Sequence, residues 1–323
     1  MISWRGEQPV RKIKLGLLGP EVSEICFGSL AVSPLQGRVS MSEGTEVLRY
    51  AVASGIDWVD TAEIYDNYEQ IAPVLKENHH VRVVSKSYAV TAEQMDKSIE
   101  KARRALGRDM IDFFLLHEQE SGLTLKGHAE AWDALRKAKE KGIVNYIGIS
   151  THAVRGVRDG ALQPGLDIIH PLINYAGLGI IDGTLAEMLA ALNFASSLGI
   201  GIYAMKVFGG GHLGTDPVKA LRFIQKLPTV QAMALGMSSK AEIDYNLMVL
   251  AGKEPCPELA RSISTIKRKL YIADWCQGCG QCVEKCSQKA LYLKKNIAEV
   301  IRERCILCGY CGRSCPHFCL KIV

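Results

Sequence analysis

Eight of the eleven cysteines in this 323-residue chain fall in two near-copies of one pattern close to the C-terminus. Cys276, Cys279, Cys282 and Cys286 form the first copy, CQGCGQCVEKCS, and Cys305, Cys308, Cys311 and Cys315 the second, CILCGYCGRSCP. Both read C-x2-C-x2-C-x3-C, and the second ends in the Cys-Pro expected of bacterial-type [4Fe–4S] ligation. Two residues between cysteines let a looping backbone set three thiolates on adjacent corners of a small cuboid, with the fourth coming from elsewhere. Zinc motifs usually separate their C-x2-C pairs by a longer spacer. A disulfide framework needs an oxidising compartment, and nothing at the N-terminus reads as a signal peptide. The spacing therefore points to two [4Fe–4S] clusters.

From about Tyr271 to Val323 the chain resembles a two-cluster ferredoxin domain. That resemblance implies crossed ligation, in which the last cysteine of each run serves the other cluster. Cluster one would take Cys276, Cys279, Cys282 and Cys315, and cluster two Cys305, Cys308, Cys311 and Cys286. Ser287 stands where the first run would often carry Pro. Cys319 reads as a small buried hydrophobe beside a cluster, and Cys26 and Cys256 get the same reading. From Arg261 to Val323 there are 12 Lys/Arg against 4 Asp/Glu, a local charge of +8. Such a tail is either a solvated face that offsets cluster charge or a docking face for an acidic electron carrier.

The rest of the chain is too long to be an appendage. About 270 residues suit one large α/β domain. The net charge of +5 is mild and no basic run suggests nucleic acid. No apolar run is long enough to span a bilayer. A cytoplasmic location is expected.

Strand-like and helix-like stretches alternate through this region. ICFGSL precedes GTEVLRYAVASGI, DWVDTA precedes NYEQIAPVLKEN, and VRVVSKSY precedes AEQMDKSIEKARRAL. MIDFFLLH precedes GHAEAWDALRKAKEKG, VNYIGIS precedes the stretch near 154–162, and DIIHPLINY precedes LAEMLAALNFASSLG. GIYAMKVFG precedes DPVKALRFIQKL, and TVQAMALGM precedes SKAEIDYNLMVLAG. Eight such units predict a (β/α)8 TIM barrel over residues 1–252, with RKIKLGLLGPEVS as a hairpin closing its floor. An open doubly wound sheet is less favoured because no GxGxxG follows an early strand. Residues 253–269 would be a linker, and 270–323 a small ferredoxin-like α+β domain.

In such a barrel, polar residues at strand C-termini face the active site. Asp60 ends the second strand, Tyr65 follows it by five residues, Lys86 ends the third and His117 the fourth. The set makes chemical sense. An ammonium near Tyr65 would favour its phenolate and lower its pKa. Asp60 would hold Lys86 in place, a neutral His117 would donate to a carbonyl, and Tyr65 would protonate its oxygen.

With these residues in view, 14–250 resembles the aldo-keto reductase family. LGLLGPEVSEICFG is similar to its opening segment, DTAEIYDNYE to its Asp–Tyr stretch, VSK to its lysine and LLH to its histidine. The resemblance implies Tyr65 as proton donor, Asp60 and Lys86 as its tuning pair, and His117 as carbonyl orienter. Asp66 stands where the family commonly has Gly. It also implies NAD(P)H on the barrel top, with Ser150 at the carboxamide, Asn174 as the polar residue ending the sixth strand, and the glycine loop of Gly209 and Gly210 at the pyrophosphate. Gly236, Ser238, Lys240 and Asn246 would lie near the adenosine, with helix-start amides suited to phosphate. Thr151, His170 and Lys206 depart from the family pattern beneath the nicotinamide ring.

The fusion poses a question. A nicotinamide moves a hydride and an iron–sulfur cluster one electron, and a flavin normally mediates. No flavin motif is visible, although a barrel top can bind flavin phosphate without one. Three functions follow: an NAD(P)H-linked carbonyl reductase or alcohol dehydrogenase, acting on a small carbonyl or alcohol, with an electron-transfer domain; a cluster-driven reductase in which the barrel residues manage protons; or a non-catalytic electron-transfer subunit. Substrate specificity would lie in loops such as GLTLKGH and HLGTDP.

Overall fold

The structure is a computed structural model, and it describes residues 9–36, 39–214, 216–264, 269–317 and 319–322. Thr215 of the HLGTDP loop and positions 265–268 of the expected linker lie outside them.

A short antiparallel hairpin, β1 (Lys12–Lys14) and β2 (Glu21–Ser23), comes first. Eight parallel strands then close a barrel: β3 (Ile25–Gly28), β4 (Trp58–Asp60), β5 (Arg82–Ser87), β6 (Ile111–Leu116), β7 (Val144–Thr151), β8 (Ile168–Pro171), β9 (Gly201–Ala204) and β10 (Ala232–Leu235). The outer helices are α1 (Met41–Ala53), α2 (Tyr68–Glu77), α3 (Ala92–Leu106), α4 (Gly122–Gly127), α5 (Ala129–Glu140), α6 (Val154–Gly160), α7 (Leu185–Ser197), α8 (Pro217–Gln225) and α9 (Lys240–Leu250). Each of the eight expected strand–helix units is present. Helices start where side chains can satisfy the first free amides: Ser40, Thr91 and Thr184 each form a capping box.

Two apolar layers hold the barrel. Branched residues on the outer face of the strands pack against the helices. The barrel interior is filled by Leu15, Val22, Trp58, Phe113, Ile168 and Tyr203, which makes it a core rather than a channel. The hairpin plugs the floor as expected: Leu17 N–H donates to Gly199 O at 2.8 Å, and a Cβ on Gly16 would fall 2.5 Å from Gly201 N.

One expected loop is helical. GLTLKGH forms α4, whose start Ser121 and Thr124 cap. The expected linker contains α10 (Pro257–Ser264), which packs on α9. Beyond it lie two antiparallel strand pairs, β11 (Leu270–Ile272) with β14 (Leu320–Ile322) and β12 (Leu291–Lys294) with β13 (Ile297–Val300). The short helices α11 (Gln281–Lys285) and α12 (Tyr310–Arg313) each lie inside a cysteine run. Among the described residues, no helix is long and apolar enough to cross a membrane.

Candidate active site

The parallel register brings the four strand-end residues to one rim. Asp60 pairs with Val84, and Lys86 with Leu115, two residues before His117. Tyr65 closes a single helical turn, Glu63–Tyr65, that folds back over the mouth, and Asp66 then takes φ 56°. That left-handed conformation explains why Gly suits the position. The Asp66 side chain is exposed.

Lys86 is 1% exposed, and its Nζ donates to Asp60 Oδ1 at 2.7 Å and Thr61 O at 2.8 Å. Asp60 Oδ2 accepts from Tyr203 Oη at 3.0 Å and lies 3.7 Å from His170 Nε2. A buried ion pair needs such extra partners to offset its desolvation. Lys86 Nζ also sits 5.1 Å from the Tyr65 ring centroid. The Tyr65 phenol is nonetheless raised well above its ordinary value, by burial first and the Asp60 charge second. The expected depression by Lys86 is therefore not found, because burial raises the phenol by more than the nearby ammonium lowers it. Tyr65 is held as a protonated phenol. Burial, then Lys86 and neighbouring histidines, hold His117 well below its usual range and hence neutral, as expected.

All four residues line one cavity of about 780 Å³, within the range of small-molecule sites. It runs from the rim past Met205–Phe208 to Gly236, Tyr245 and Asn246. Part of its wall comes from the second cysteine run: Ile306, Leu307, Cys308 and Tyr310 all face it. Tyr310 Oη lies 3.2 Å from His117 Nε2 and near enough to the Tyr65 phenol to lower its pKa against burial. Sequence reasoning missed Tyr310. The available signal was that CGYC departs from CGQC, placing an aromatic where the first run has Gln281.

The expected nicotinamide contacts divide. Gly210, Gly236 and Asn246 line the cavity. Ser150 is fully buried, and its Oγ accepts from Glu118 N at 2.9 Å. Asn174 spends its amide on Leu178 and Lys206 carbonyls and on the Ala176 and Leu178 amides. At the start of α9 the Ser238 amide and hydroxyl both donate to Glu242, and the Glu242 amide to Ser239. Lys240 lies over the Tyr50 ring. Gly209 is buried under Leu213 and Leu178. The backbone that closely approaches Gly210 is the chain's own, since a Cβ there would lie 2.2 Å from Ile306 O. Thr151 turns the chain into α6 by bonding Ala153 N at 3.0 Å. His170 stacks on Tyr203 at 3.8 Å and faces the cavity, and Lys206 lines it too.

No two of the eleven cysteines are joined in a disulfide. Cys282 is raised by burial and then by the charges of Cys276, Cys315 and Cys279, while Cys311 is raised by burial and then by Cys308, Cys305, Cys286 and Cys282. Among the described residues no His, Cys, Asp or Glu group of three closes tightly enough for a single metal ion. Burial lifts the Cys308 thiol to about 11 against the opposing charge of Lys206. Cys319 is 1% exposed, with its amide on Cys315 Sγ at 3.3 Å, and Cys26 is fully buried, but Cys256 is half-buried.

Comparisons with known proteins address the barrel. L-galactose dehydrogenase of Arabidopsis thaliana is 26% identical over 62% of this chain, which spans 66% of that enzyme's length. Prostaglandin F synthase 2 of Bos taurus is 23% identical over 75% of this chain and 88% of its own. An aldo-keto reductase of Bombyx mori solved in complex with NADP superposes with a TM-score of 0.57 at 18% identity, covering 80% of this chain and 93% of its own. The model of the aldo/keto reductase family matches residues 24–219, more than half of the sequence and seven of the eight barrel strands, and the chain belongs to that family.

Proposed function

We propose that the protein is an oxidoreductase that interconverts a small carbonyl compound and its alcohol, using NAD(P)H in the barrel and carrying two [4Fe–4S] clusters in its C-terminal segment. One observation carries the reading: Asp60, Tyr65, Lys86 and His117 converge on a cavity that continues to Gly236 and Asn246. NAD(P)H, when bound along that cleft, supplies hydride to the carbonyl carbon. The protein's part is proton control and orientation. Neutral His117 donates to the carbonyl oxygen, and Tyr65 passes its phenolic proton to that oxygen as charge develops. Lys86, fixed by Asp60, stabilises the phenolate left behind.

The two sets of four thiols suit [4Fe–4S] ligation, with Cys276, Cys279, Cys282 and Cys315 at one cluster and Cys305, Cys308, Cys311 and Cys286 at the other. A second reading, in which electrons enter singly from the clusters, is favoured by Cys308, which faces the same cavity as Tyr65 and His117. Purification under anaerobic conditions, an iron count, and titration with NADH and NADPH while following visible absorbance separate the two. Nucleotide binding with aldehyde turnover supports the first. Failure to bind either nucleotide, with turnover from a low-potential one-electron donor, replaces it with the second. An iron count near zero overturns the cluster assignment in both.

A further inference from the structure

The oxygen position of the site is already filled by this chain. A carbonyl that is to be protonated by Tyr65 and oriented by His117 must put its oxygen where the two groups converge. Tyr310 Oη is there, 3.2 Å from His117 Nε2 and near enough to the Tyr65 phenol to lower its pKa against burial. Its ring meets the His117 imidazole edge-on, with centroids 6.1 Å apart. Tyr88 stacks on another face of that imidazole at 4.5 Å and donates to Glu118 at 2.6 Å, so the pocket around the phenol is aromatic on two sides.

The backbone bearing Tyr310 is firmly placed. Gln36 Nε2 donates to Leu307 O at 3.0 Å, His212 Nε2 lies 2.6 Å from Cys305 O, and Arg313 donates to Ile64 O. Glycines allow close contact from both sides: a Cβ on Gly210 would lie 2.2 Å from Ile306 O, and one on Gly309 2.9 Å from Leu35 O. The Tyr310 side chain is half-buried and borders the cavity.

We propose that Tyr310 is a specificity-determining residue of the barrel site: its phenol occupies the substrate-oxygen position between Tyr65 and His117, and a substrate enters by displacing it. The proposal deepens the carbonyl-reductase reading and rests on it. It implies that the pocket accepts an oxygen carried on a flat ring, since that is the shape the protein supplies to itself. Wild-type protein selects for compounds that outcompete an internal phenol at very high effective concentration.

Two variants of the full-length, cluster-loaded protein test this. Tyr310→Phe keeps the ring and removes the oxygen. It should lower KM for benzaldehyde at least fivefold, with kcat within twofold of wild type. An unchanged KM, or a fall in kcat, overturns the proposal. Tyr310→Ala opens the site, and calorimetry should show phenol binding to this variant and not to wild type. Equal binding to both, or to neither, overturns it. Calorimetry requires no turnover. If no nucleotide-dependent activity appears in any variant, the carbonyl-reductase reading fails, and phenol binding alone decides whether Tyr310 fills a hydroxyl site. If Tyr310→Ala does not fold, the Phe variant's KM carries the decision.

Discussion

The two cysteine runs share one spacing and have opposite surroundings. In the first, Gly278 takes φ 63° against the β12–β13 turn, where a Cβ would fall 2.2 Å from Asn296 O. Cys279 and Gln281 are exposed. In the second, Leu307 takes the equivalent place at φ 48°, its carbonyl held by Gln36 of the barrel. Cys308 faces the cavity, and Tyr310 replaces Gln281. Ligand spacing sets what a run can hold. The intervening residues set what it touches. The first run packs within its own segment, and the second is a wall of the barrel's site.

The largest expected effect separates the barrel's chemistry from both runs. Tyr65→Phe should cut carbonyl turnover about 10²- to 10⁴-fold, the scale of a lost general acid, with iron content unchanged. A comparable loss of iron would show that the rim and the second run form one structural unit.

The ground beneath the second run should be acid-labile. His117, His152 and His170 are all buried and held below their usual range, His170 by burial down to about 4 despite the opposing charge of Asp60. A histidine depressed on folding contributes stability that is complete above the unfolded value near 6.5 and is lost as pH falls through the folded one. For His170, whose charged and polar neighbours are Asp60, Lys86, His152 and Tyr203, the loss between those limits is roughly 3 kcal/mol. Thermal melts from pH 7.5 to 4.5 should fall steeply, and His170→Gln should flatten the slope. An unchanged slope would show that His170 is not held neutral.

Two glycines give a matched pair of smaller perturbations. Gly210→Ala and Gly278→Ala each force a Cβ to 2.2 Å from a carbonyl oxygen, at φ 71° and 63°. Each should cost on the order of 1–3 kcal/mol of stability. Only Gly210→Ala should also shift the barrel's KM, because only it pushes on the second run at the mouth. Steady-state kinetics alongside denaturant melts would show this, and equal kinetic effects would erase the distinction between the runs.

The smallest contrast lies in the thiols. Cys279→Ser and Cys308→Ser should each remove about half the iron, since each breaks one of two four-thiolate sets. Turnover in Cys279→Ser should stay within twofold of wild type, and Cys308→Ser should change KM as well.

The barrel was legible because period and punctuation repeat locally. Apolar runs such as IDFFLL followed by amphipathic stretches such as AEQMDKSIEKARRAL need no knowledge of the rest of the chain. Asp60, Tyr65, Lys86 and His117 were legible because position at a strand end dictates facing. The nicotinamide contacts were less so. Ser150 and Asn174 have the right side chains in the right segments, but hydrogen bonds to Glu118, Lys206 and the 176–178 turn absorb them. Whether a polar atom is free depends on neighbours a sequence does not order.

Sequence alone showed two cysteine runs of one spacing and the polar rim, since residue spacing and strand periodicity are properties of short segments. It could not say that the two would meet. Gly210 against Ile306, Gln36 on Leu307 and Arg313 on Ile64 join residues roughly 100 to 270 positions apart. Contacts at that separation arise only when the closed barrel presents a mouth of the right shape. That docking puts Tyr310 on His117, and it turns a run of cysteines into part of the active-site wall.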